Sequence, residues 1–208
     1  MSRGGRMSAQ SALTAIHRAR AERDIVITTM APARDWMTLP PQPLDIVFVP
    51  SAMGHATSLG LGLALAQPTR RVIVCNGDGS MLMNLGSLVS ITGSGARNLV
   101  VVVFDNGVYE VTGSQPTPAS KDVDFAVMAR GAGFTSVYKF STLESWQTNI
   151  HRILLRRGPT FVWLRVAAVV GIPGPRSPGP AALRARRLID ALRDEASHSS
   201  CSPAPLPP

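Results

Sequence analysis

Apolar residues along this chain follow two alternating patterns: short β-branched runs, and longer stretches in which apolar positions recur at helical spacing. The β-branched runs predict strands over 24–29, 46–49, 71–75, 99–104, 134–139 and 160–166. The helical spacing predicts helices over 8–23, 54–65, 80–92, 125–132, 143–156 and 181–195. In the first of these, Leu13, Ile16 and Ala19 mark an apolar face, with Ser8 or Ser11 as cap. The segment 54–65 is small and apolar, with Gly54, Gly60 and Gly62 inside it, which suits close packing against a sheet or a partner. Pro40, Pro41 and Pro43 place a loop between the first two strands. Strands separated by helices are the signature of βαβ units. The expected fold is therefore α/β, an open parallel sheet with helices on both faces.

The organisation follows from where the pattern stops. Residues 1–7 read as a flexible tail, 8–172 as the α/β domain, 173–196 as a Pro-rich connector with a last helix, and 197–208 as a disordered tail. With 208 residues and 45% apolar content, one core forms and a second large domain does not fit. Every long apolar run is broken before the length of a membrane span, and the first residues lack the pattern of a secretory signal. Two cysteines, Cys75 in an apolar run and Cys201 in the tail, argue against a disulfide framework and for the cytoplasm. The net charge of +8 is spread along the chain, and aromatic residues make up only 5%. A nucleic-acid partner is therefore not expected, since such proteins concentrate their charge or interleave it with aromatics. Trp36, Trp146 and Trp163 read as packing or interface residues, and Cys75 as a buried, inert thiol.

One segment carries chemistry. The strand at 71–75 runs into Asn76-Gly77-Asp78-Gly79-Ser80 and then a helix. This turn is neither a P-loop nor the dinucleotide fingerprint. It places an acid at the carboxyl end of a central strand between residues without side chains, so a ligand can approach the backbone. The free N–H groups of the helix that follows favour phosphate. Asp78 would repel a phosphate unless a divalent cation lay between them. Downstream stands Asp105-Asn106-Gly107-Val108-Tyr109, with room between the two for one helix and one strand. That crossover puts Asp78 and Asn106 at the carboxyl ends of two parallel strands, the edge where open α/β sheets bind ligands.

These two segments, at this spacing, resemble the thiamine-diphosphate motif of the 2-oxo acid decarboxylases. Ser51-Ala52-Met53-Gly54-His55-Ala56 is similar to a Gly-Ser-Met-Gly segment of the same family, and 108–117 looks most like phosphonopyruvate decarboxylase and the β subunit of sulfopyruvate decarboxylase. The resemblance implies thiamine diphosphate and Mg²⁺ as cofactors. Asp78, Asn106 and the Val108 carbonyl would ligate the metal, and Gly77, Gly79 and Ser80 would hold the diphosphate. Met53 would wedge the cofactor into its bent form, Ser51 would accept from its aminopyrimidine through its carbonyl, and Tyr109 and Val111 would line the site. Ser51 departs from the Gly usual there, and Asp105 from the commoner Asn. His55 and Thr112 are the candidate catalytic residues: His55 has the alternative of a structural histidine at the helix start, while Thr112, which with Glu110 follows the metal turn, sits where the family points a side chain at the substrate.

The family also needs a glutamate against the aminopyrimidine, carried by a separate domain. Glu22, Glu110, Glu144 and Glu195 are the only glutamates here, and none has the strand-then-helix context for it. The resemblance thus implies half an enzyme: the diphosphate-binding chain of a hetero-oligomer of αβ pairs, whose pyrimidine-binding α subunit supplies the activating glutamate. The substrate would be a small 2-oxo acid, decarboxylated to CO₂ and an aldehyde. An acetolactate-synthase-like carboligase subunit and a non-catalytic cofactor-binding regulatory subunit are the alternatives.

Overall fold

The computed structural model describes residues 6–49, 53–118 and 122–199. In chain order the strands are β1 (Ile25–Thr28), β2 (Asp45–Val47), β3 (Val72–Gly77), β4 (Leu99–Asp105), β5 (Val108–Tyr109), β6 (Gln115–Pro116), β7 (Ser136–Phe140) and β8 (Thr160–Arg165). The helices are α1 (Ala9–Ala19), α2 (Met30–Trp36), α3 (Ala56–Ala66), α4 (Asp78–Leu82), α5 (Gly86–Gly93), α6 (Phe125–Gly131), α7 (Leu143–Leu154) and α8 (Ala181–Ser199). Six strands form one parallel sheet in the order β2-β1-β3-β4-β8-β7, while β5 and β6 pair antiparallel as a small hairpin. The expected α/β architecture is present, with β3 and β4 direct neighbours in register Val72↔Leu99 through Gly77↔Phe104.

Alternation along the central strands builds two cores. Val72 and Val74 of β3, with Leu99, Val101 and Val103 of β4, face α3, α5 and α6 on one side. Ile73 and Cys75, with Val100, Val102 and Phe104, face α1, α2 and α7 on the other. All six residues of β3 except Gly77 are buried, as a parallel strand covered on both faces requires. Side-chain caps start three of the helices: Ser8 accepts from the Ser11 amide, Asp124 from Val127 and Thr142 from Ser145. At the far end of the chain Leu188, Ala191 and Leu192 of α8 lie against the first core, and Arg184 Nη2 donates to the Val49 carbonyl at 2.6 Å.

Three expectations are corrected and one element is added. Met7 does not belong to a flexible tail: it is buried, bridges Val166, and its carbonyl accepts from the Ala167 amide at 2.9 Å. The last helix runs on to Ser199 rather than ending at residue 195. Residues 30–36, for which the residue pattern predicts no element, form α2, whose buried Pro32, Ala33 and Trp36 anchor it. The helix expected over 80–92 is two helices, because Asn84 leaves the helical run to donate its side-chain amide to the Gly54 carbonyl at 2.9 Å. The 197–208 tail reading falls outside the described residues from residue 200 onward.

Candidate functional site

The strand order reverses between β1 and β3, since the chain leaves β1 toward β2 and returns to place β3 on β1's other side. Ligand crevices open at the carboxyl ends of strands at such a point. A cleft is found there, about 470 Å³ out to its solvent-open mouth. Its walls come from the segments after four strands: Met30, Ala31 and Pro32 after β1, Gly77–Ser80 after β3, Asn106 and Val108–Val111 after β4, and Val166 after β8. Met53 lines it as well.

The strand β3 delivers its acid directly into this cleft. Gly77 ends the strand with extended backbone, and Asp78 opens the five-residue helix α4. So short a helix has little macrodipole, and any anion attraction there comes from its unpaired first-turn N–H groups. The Ser80 hydroxyl accepts from the Gly54 amide at 2.9 Å, which ties the turn bearing Met53 to the start of α4. A side chain at Gly79 would collide with the Tyr109 ring, whose Cε1 lies 2.5 Å from where its Cβ would stand, so only glycine lets the β4 segment close over α4.

Asp78 is 2% exposed, and one of its oxygens accepts from the Gly107 amide and the Thr117 hydroxyl, each at 3.1 Å. Burial, with the negative charge of Asp105 nearby, pushes its carboxyl up to about 6. A divalent cation beside it would favour the ionised form and offset the cost of burying that charge. Asn106 is oriented at both ends of its amide: Oδ1 accepts from the Val108 amide at 3.0 Å, and Nδ2 donates to Glu110 Oε2 at 2.6 Å. The carbonyls of Gly107 and Tyr109 are used by the Thr117 and Ser114 amides at the hairpin. Successive strand carbonyls alternate sides, so that of Val108 faces away from the hairpin. Among the described residues there is no group of three His, Cys, Asp or Glu side chains fit to hold a metal. One carboxylate, one amide oxygen and one backbone carbonyl could instead supply an all-oxygen donor set, of the kind that suits a hard cation such as Mg²⁺ completed by phosphate oxygens and water.

Residues 24–164 match the family described as "Thiamine pyrophosphate enzyme, C-terminal TPP binding domain". The chain belongs to this family. Its cofactor-binding domain is similar to phosphonopyruvate decarboxylase of Streptomyces viridochromogenes, 37% identical over 195 residues covering 90% of this chain and 48% of that one. It is also similar to the β subunit of sulfopyruvate decarboxylase of Methanothermobacter thermautotrophicus, 39% identical over 146 residues covering 70% of this chain and 75% of that one. The chain thus spans about half the Streptomyces relative's length. A solved structure from Mycobacterium smegmatis, assigned to the thiamin diphosphate-dependent enzymes, superposes with a TM-score of 0.66 at 19% identity, covering 78% of this chain and 32% of that one. That likeness shows the fold.

Of the residues singled out from the sequence of this TPP-binding domain, Met53, Gly77, Asp78, Gly79, Ser80, Asn106, Val108, Tyr109 and Val111 all line the one cleft. Ser51 lies outside the described residues. His55 is exposed at the N-cap of α3 and Thr112 is exposed in the 3-10 turn, its hydroxyl donating to the Tyr109 carbonyl at 3.3 Å; neither lines the cleft. Sequence reasoning missed two contributors, Thr117 and Met30, and left the role of Glu110 open. Thr117 holds Asp78 from 39 residues away, and Glu110 is buried against Asn106. Met30 lines the cleft in a left-handed conformation, φ 55°. For a non-glycine residue that conformation costs roughly 1–2 kcal/mol, and no pattern of residue types announces it.

Proposed function

We propose that this chain is the diphosphate-binding subunit of a two-chain thiamine-diphosphate-dependent decarboxylase acting on a small 2-oxo acid of the sulfopyruvate or phosphonopyruvate kind. The observation that carries the reading is the convergence of Asp78, Asn106 and Val108, from the segments after β3 and β4, on the cleft that Met53 also lines. In this reading Asp78, the Asn106 amide oxygen and the Val108 carbonyl hold Mg²⁺, the amides of Gly79 and Ser80 hold the diphosphate, and Met53 presses on the cofactor's middle. When bound, the cofactor supplies the electron sink that lets CO₂ leave a 2-oxo acid. The chain's own contribution is to bind, to orient, and to keep water from the apolar wall formed by Met30, Ala31 and Pro32.

Support for a partner chain comes from the glutamates. Glu22 and Glu144 are exposed, and Glu110, which does line the cleft, is committed to Asn106 and Arg34. The likeness to a β subunit of sulfopyruvate decarboxylase supports assigning the side chain that activates the aminopyrimidine to an α subunit, with αβ pairs as the assembling unit. Cys75 is a buried free thiol that burial pushes well above the usual thiol range, an inert core residue. No helix among the described residues is long and apolar enough to cross a membrane.

The test is Asp78→Ala in the assembled complex. Loss of the metal-ligating carboxylate is expected to weaken Mg²⁺-dependent thiamine diphosphate binding by at least about 100-fold and to abolish turnover. Unchanged turnover would assign the chain a regulatory role instead.

A further inference from the structure

The site contains a buried carboxylate that neither the cation nor the diphosphate needs as a ligand. Glu110 is 7% exposed and lies in the 3-10 turn that follows β5. Its two oxygens point to different partners. Oε2 accepts from Asn106 Nδ2 at 2.6 Å and, more weakly, from the Val169 amide at 3.4 Å. Oε1 lies 2.7 Å from Arg34 Nη2, close enough to pair by charge though not aligned as a hydrogen bond. Arg34 belongs to α2, the helix after β1, and its Nε donates to Asp35 at 2.9 Å.

An asparagine can ligate a hard cation only through its oxygen, and its amide can flip end for end. At Asn106 the two ends are distinguished by their neighbours. In the observed orientation a donor meets the Glu110 carboxylate and an acceptor meets the Val108 N–H. Flipped, the oxygen would face a carboxylate and the NH₂ would face another donor, and both contacts would be repulsive. The Val108 amide takes up only one lone pair of Oδ1, so the other is available to a cation.

We infer that Glu110, held by Arg34, is the positioning residue that locks Asn106 with its oxygen toward the metal. This rests on the cation-site reading above. Glu110 makes no bond to the metal. Its role is to make the wrong amide orientation unavailable, and Arg34 holds the carboxylate in place while offsetting its negative charge beside a phosphate site. Outer partners of this kind tune metal affinity in other proteins by about 10–100-fold.

The experiment measures Mn²⁺ binding to the chain assembled with its α subunit, in the presence of thiamine diphosphate, by the electron paramagnetic resonance signal of the free ion. Glu110→Ala is expected to weaken binding by about 10–100-fold, and Glu110→Gln, which keeps an acceptor oxygen, to recover most of the loss. The decisive background is Asn106→Asp. A carboxylate has no wrong end, so adding Glu110→Ala to it should cost less than about 2-fold, the spread expected of uncoupled sites. An equal loss from Glu110→Ala in both backgrounds would mean a structural role and would overturn the inference, as would no loss beside Asn106. If the alanine variant does not fold, Glu110→Leu, of similar size and without an acceptor, takes its place in the same cycle. Failure of the unmodified complex to bind Mn²⁺ at all would overturn the cation site itself, a different result from any of these.

Discussion

On one face of the sheet, α1 and α7 turn apolar residues inward and keep charged or polar residues outward; on the other, α3 carries no charged residue on any side. Leu13, Ile16, Trp146, Ile150 and Ile153 are all at most 2% exposed, so the first face is closed within this chain. The second leaves Leu65 at 53%, Met83 at 51% and Val89 at 61% exposure on or beside α3, α4 and α5. A helix that is apolar all round is built to be covered on all sides. Here only its inner side is: Gly60 lets it approach so closely that an added Cβ would stand 2.3 Å from Val74 Cγ2. The open face adjoins the Gly54–Ser80 link and hence the cofactor cleft. The contrast fits a chain that completes its fold alone and its site with a partner. It is not absolute, since Leu155 at the end of α7 is 80% exposed on the closed side.

The comparison can be broken from either face. The larger effect is expected on the closed one. Trp146 is fully buried, and its indole N–H donates to the Ala12 carbonyl at 3.1 Å. Trp146→Ala should destabilise the isolated chain by about 3–5 kcal/mol in urea unfolding, with the loss present whether or not a partner is added. On the open face, Leu65→Ser with Val89→Ser should change the isolated chain's stability by no more than about 0.5 kcal/mol per site. The same pair should weaken association with the α subunit, read by size-exclusion chromatography of the mixed chains. A large loss of stability in the isolated chain would mean that this face already does its packing within the chain.

How much of this was legible in the sequence depends on how local each feature is. The long strands and the helices α1 and α7 announce themselves by period, because sheet and core dictate a pattern over many residues, while α3 shows as a small, apolar run. The seven-residue α2 does not, with Pro32 in its first turn and too few residues to show a period. The interruption between α4 and α5 depends on Asn84 reaching Gly54, 30 residues away, which no local propensity encodes. The candidate site divides in the same way. Asp78 and Asn106 are visible because glycines flank them at a strand's end. Thr117 and Arg34 join them only through the folded chain, Thr117 by way of the β5–β6 hairpin and Arg34 from the far side of β1.

The central proposal is that this chain holds one side of an active site and a partner chain the other. Steady-state decarboxylation of sulfopyruvate, with thiamine diphosphate and Mg²⁺ supplied, tests it most directly when the purified chain alone is compared with the chain co-expressed with a pyrimidine-binding α subunit. The account predicts no turnover above background for the chain alone and robust CO₂ release from the pair. Full turnover by the chain alone would contradict it.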